Sequence, residues 1–126
     1  MKEDSEHAIQ CQAIQWIRQH TPYVCYAIPN GGSRGRRQGA ALKAEGVLAG
    51  IPDIHIPALA LFIEMKTSIG KVSPVQKAMH ERLRADGQTV EVCRSVDDVM
   101  RVVTEQMGWQ HDKKPTKQPI RKVVKK

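Results

Sequence analysis

The chain has 126 residues, enough for one domain with a real core. Its 40% hydrophobic and 26% charged residues are ordinary for a globular protein, and its longest apolar run is too short and too interrupted to span a membrane. The net charge of +7 is uneven: residues 111–126 hold seven Lys/Arg against one acid, whereas residues 1–110 hold thirteen against twelve. Basicity confined to a tail excludes a uniformly cationic body and modestly favours a polyanion partner, because neutralised phosphates release counterions.

The N-terminus, Met1 to Glu6, is acidic and lacks the apolar core of a signal peptide. Cys11, Cys25 and Cys93 are far apart, odd in number and without metal spacing, which reads as reduced, mostly buried thiols in the cytoplasm. Residues 3–20 predict a helix, with Asp4 or Ser5 as cap and Ala8, Cys11, Ile14 and Ile17 at helical spacing. Glu6 falls in its first turn, where the helix dipole alone is reason enough for an acid. Thr21-Pro22 ends that helix, and Tyr23 to Ile28 predicts a strand.

Residues 31–37 pack three glycines and Arg34, Arg36 and Arg37 into a basic loop. Glycine lets backbone N–H groups approach a phosphate, and arginine grips one with two donors. A short helix over 38–48 follows, with Ala40, Ala41, Ala44, Val47 and Leu48 as its small apolar side.

The centre of the chain is Gly50-Ile51-Pro52-Asp53, an apolar run broken only by His55 and Pro57, then Glu64-Met65-Lys66. The run predicts two short buried strands turning near Pro57. Residues two apart on a strand share a face, so Glu64 and Lys66 project together, and a hairpin brings Asp53 beside them. Charges among apolar strands are costly unless something uses them. A divalent metal on the two acids, acting on a phosphate, would do so. An isolated Glu-x-Lys is usually only an exposed ion pair, so the wider pattern has to carry the argument.

That pattern continues with a polar loop, 67–72, in which Lys71 is a candidate DNA contact. Ser73-Pro74 then starts a helix that runs to about Ala85, with Gln76 in its first turn and Gly87 as the stop. Thr89 to Cys93 predicts a strand. Ser95 caps a last helix from Val96 to about Met107, closed by Gly108-Trp109. Residues 108–126, rich in lysine and proline, predict a disordered tail behind a domain of residues 1–107. The fold class is α/β, a mixed sheet with helices packed on it.

Taken in order, these motifs resemble the Pro-Asp…(Asp/Glu)-x-Lys nuclease superfamily. More closely, the chain resembles stand-alone VRR-NUC (virus-type replication-repair nuclease) domains of the phage and bacterial kind. The matching residues are Glu6, Pro29-Asn30-Gly31-Gly32, Gly46 to Gly50, Ile51-Pro52-Asp53, Glu64-Met65-Lys66, Ser73-Pro74-x-Gln76 and Gly87, within residues 5–103. The resemblance implies a restriction-endonuclease-like core. It implies Asp53, Glu64 and the Met65 carbonyl as ligands of Mg²⁺ or Mn²⁺, with Glu6 completing the acidic cluster directly or through water. Lys66 would be the catalytic lysine, and Gln76 would support the site. The implied activity is structure-selective DNA cleavage, as in Holliday junction resolvases that act as homodimers. A general or restriction-like nuclease, and a DNA-binding module without catalysis, are the alternatives.

Overall fold

The computed structural model describes residues 5–29 and 36–113, with side chains except those of 36–39 and 109–113. Ser5 is the cap of helix α1 (Glu6–His20): its Oγ accepts from the Ala8 amide at 3.0 Å. Thr21 closes α1 by donating its amide to the Ile17 carbonyl. The strand expected over 23–28 is paired only as β1 (Tyr26–Ala27). Its length is set by its partner, β2 (Ile54–Ile56), and by Arg18, whose guanidinium takes the Cys25 carbonyl at 3.0 Å.

Helix α2 (Arg36–Ala44) is shorter than expected at its C-terminal end. Gly46, at φ +104°, ends it, and Val47 donates back to the Leu42 carbonyl. The apolar side expected of this helix is not buried: Ala40, Ala41 and Ala44 are exposed, as are Val47 and Leu48 beyond it.

The hairpin around Pro57 forms as expected. A one-turn 3₁₀ helix (Pro57–Leu59) and a left-handed Ala60 at φ +49° connect β2 to β3 (Leu61–Met65). Helix α3 (Pro74–Ala85) then carries the chain across to β4 (Thr89–Cys93), which pairs parallel to β3. The sheet order is β1-β2-β3-β4, with the first three strands antiparallel. Helix α4 (Val96–Lys113) does not close at Gly108 but runs five residues past it. A single glycine lowers helix propensity by about 1 kcal/mol and does not by itself stop a helix. Residues 114–126 of the expected tail lie outside the described residues.

Strand alternation divides the molecule into two layers. Ile54, Ile56, Leu61, Ile63, Met65 and Cys93 form one core with Ile9, Ala13 and Ile17 of α1 and Val99, Val102 and Val103 of α4. The opposite positions, His55, Phe62, Glu64 and Val90, fall on the face that α3 covers. Both faces of β3 are thus covered around Glu64, which is 1% exposed. Cys25 and Cys93 are buried free thiols and Cys11 is an exposed one, in line with the mostly buried thiols expected. Among the described residues, no helix is long and apolar enough to cross a membrane.

Candidate active site

Asp53 stands one step beyond the Ile54–Ile63 pair, opposite Glu64. Its amide donates to the Ile63 carbonyl at 3.0 Å, and its own carbonyl accepts from Ile28 at 2.7 Å. The buried Pro52 fixes the backbone just before it. One carboxylate oxygen, Oδ2, accepts the Met65 amide at 2.7 Å. Asp53 is therefore held from both neighbouring strands and through its side chain.

Glu64 is gripped from α3. Gln76 Nε2 donates to Oε2 at 3.3 Å, and His80 Nε2 lies 3.0 Å from Oε1. The orientation of the Gln76 amide follows from its other end: Oε1 accepts the Ser73 amide at 2.9 Å while Ser73 Oγ accepts the Gln76 amide at 3.1 Å. This reciprocal capping box leaves the NH₂ group to face Glu64. One residue thus starts the helix and orients the acid.

The Glu64 carboxyl is pushed up to about 8, first by burial, then by its hydrogen bond with Asp53 and the charge there, with Glu6 adding and Lys66 opposing. His80 is shifted the other way: burial foremost, then Arg84 and Lys66, lower it against the smaller pull of Asp53. Both shifts favour the uncharged forms, so the 3.0 Å His80–Glu64 contact reads as a hydrogen bond rather than as an ion pair.

Glu6, Asp53, Glu64 and Gln76 line one open cleft of about 600 Å³, with Gln10, Ala27, Ile28 and Pro29 completing its wall. Glu6 reaches it from the first turn of α1. Lys66 does not line this cleft. It is half-buried just past β3, its amide donating to the Cys93 carbonyl at 3.0 Å, and its charge reaches both Glu64 and His80. The Met65 side chain is in the core, so this residue meets the site only through its backbone. Lys71 is exposed on the turn before α3. Arg34 lies outside the described residues, as do the side chains of Arg36 and Arg37.

The acid pair fits a hard divalent cation. Its donors are carboxylate oxygens, and burial disfavours the ionised Glu64 unless positive charge joins it. Among the described residues, no three His, Cys, Asp or Glu side chains already converge as a ligand set. That is compatible with Mg²⁺, which keeps several waters and is held by one or two carboxylates.

The VRR-NUC domain model matches residues 3–97. The chain belongs to the VRR-NUC family. A solved structure described as a VRR_NUC domain protein is 26% identical, with a TM-score of 0.71 over 86% of this chain and 92% of that one. No curated protein matches the chain. VRR-NUC domains are nucleases of the PD-(D/E)xK type; the family is generally divalent-metal dependent, and a nuclease domain implies DNA binding. The mixed sheet flanked by helices is the fold expected from the sequence.

His80 is the site residue that sequence reasoning passed over. It lies four residues after Gln76, one turn along the same face of α3. That spacing was legible, but which face of α3 meets the sheet was not.

Proposed function

We propose that this VRR-NUC protein is a metal-dependent endonuclease that cuts branched DNA, a Holliday junction resolvase acting as a homodimer. The observation that carries the nuclease chemistry is the meeting of Asp53 and buried Glu64 at one cleft with Lys66 beside them. Asp53, Glu64 and the Met65 carbonyl would hold Mg²⁺ or Mn²⁺, and Glu6 would join them directly or through water. Such a cation, when bound, lowers the pKa of water and neutralises charge on the phosphate. The protein's own contribution is positioning. Gln76 holds Glu64, and Asp53 is locked to β3. The Lys66 ammonium orients the attacking water or offsets charge developing at phosphorus. Arg34, Arg36, Arg37 and Lys71 would grip the phosphate backbone. A four-way junction must be cut on two strands, and a homodimer supplies two such sites.

The test mixes the protein with a labelled four-way junction and its matched linear duplex, in EDTA, Mg²⁺ or Mn²⁺, beside Glu64→Ala. Symmetric metal-dependent cuts on the junction alone, absent in Glu64→Ala, are the expected result. Equal cutting of both substrates removes junction selectivity and leaves a general nuclease. Binding without cutting in either metal leaves a DNA-binding module.

A further inference from the structure

We propose that His80 is a positioning residue that fixes the Glu64 carboxylate for cation binding. The inference rests on the reading of Glu64 as a ligand of a divalent metal. His80 is 3% exposed on α3, a place where an apolar side chain would pack without any polar atom to satisfy. The structure instead aims its Nε2 at Glu64 Oε1, 3.0 Å away. Gln76 Nε2 approaches the other oxygen from the same helix. Two side chains one turn apart thus bear on both oxygens of one carboxyl group. A carboxylate oxygen has two acceptor directions, so contacts from α3 do not exhaust the group, which also meets Asp53 at the cleft. Without His80 the group can turn about its last side-chain torsion, which is broad.

The choice of imidazole also has a reason. With a cation bound, Glu64 would be ionised and could only accept, so its partner would have to present an N–H, the Nε2–H tautomer. An imidazole N–H can hold the carboxylate without the fixed positive charge that a lysine in its place would bring. Outer hydrogen bonds of this kind orient metal ligands, and their loss lowers affinity or activity about 10- to 100-fold.

The experiment follows Mn²⁺ binding to the whole protein through loss of the free-ion EPR signal, with thermal unfolding of each metal-free variant alongside. His80→Leu fills the volume and removes the donor. His80→Gln keeps an amide N–H near the Nε2 position, and His80→Asn keeps a buried amide that is too short to reach. The expected result is about 10- to 100-fold weaker Mn²⁺ binding in His80→Leu and His80→Asn, with His80→Gln restored to within about threefold of wild type. Unchanged affinity in His80→Leu or His80→Asn overturns the proposal while leaving the metal site standing. If His80→Leu does not fold, the Gln and Asn pair decides, because both bury an amide and only one reaches Glu64. Wild type that takes up no Mn²⁺ overturns the metal reading and this inference with it.

Discussion

The Met65 amide donates to Asp53 Oδ2 at 2.7 Å, so the first acid of the cleft is tied to the strand that carries the second. The bond gives Asp53 a structural role beside its proposed ligand role, and the two separate by substitution. Asp53→Asn keeps an acceptor for Met65 and removes the charge. It should leave stability within about 0.5 kcal/mol of wild type while cleavage falls at least about 100-fold. Asp53→Ala leaves the Met65 amide without that acceptor and should destabilise by about 1–3 kcal/mol. Denaturant unfolding and a cleavage assay on both variants check this; equal stabilities would remove the structural role.

Stability of the metal-free protein should fall with pH above neutrality. Glu64 is raised from its usual 4.5 to about 8, so the folded state holds a proton that the unfolded state releases between those values. Its stabilising contribution is complete below about 4.5 and is lost as pH climbs through about 8. His80 is lowered, so below its usual 6.5 the unfolded state binds the extra proton and stability rises with pH. The two trends oppose each other below about 6.5. The net fall is therefore expected mainly between about pH 6.5 and 8, at no more than about 1.4 kcal/mol per unit. Glu64→Gln should flatten it, and thermal melts across this range measure it.

Arg94 should govern the order of the turn after Lys66. Its Nη1 donates to the Thr67 and Gly70 carbonyls at 2.7 Å each and reaches that of Ser68 at 3.5 Å. Arg94→Ala should lower stability by about 2 kcal/mol and speed hydrogen exchange at the Gly70 amide, which is bonded inside this turn. Unchanged exchange there would mean that the turn holds itself.

The two glycines flanking the 47–49 segment should respond differently to alanine. Gly46 and Gly50 both have positive φ, +104° and +85°. A Cβ at Gly46 meets open space, whereas one at Gly50 would lie 2.7 Å from the Val75 carbonyl oxygen. Gly46→Ala should cost about 1 kcal/mol of backbone strain, and Gly50→Ala distinctly more. Because Val75 adjoins Gln76, the Gly50 variant should also lose cleavage. Equal unfolding midpoints would refute the close approach.

The order of elements was legible because each announces itself locally. Ser5 and Ser73 cap helices, Pro57 turns the hairpin, and the apolar run before Glu64 can only be a buried strand or helix. Asp53, Glu64 and Gln76 were named from the sequence and do reach one cleft, with Glu6 across from them. What stayed hidden depends on partners distant in the chain. The length of β1 is set by β2, the burial of His80 by the docking of α3, and the Arg94 grip by a turn more than twenty residues earlier. The exposed alanines of α2 illustrate the converse: a periodic apolar side does not establish that anything covers it.

The acids and their supports differ in where the chain supplies them. Asp53, Glu64, Lys66, Gln76 and His80 fall within one hairpin and the helix that follows it, whereas Glu6 comes from the far end. Closing short loops sacrifices little chain entropy, so the hairpin and α3 can meet early during folding. Glu6 joins only when α1 docks across β3 and α4, contacts that close most of the polypeptide into a ring. During synthesis α1 is therefore made before the hairpin yet settles after it, and the cleft gains its third acid only once the helix that carries Glu6 has docked.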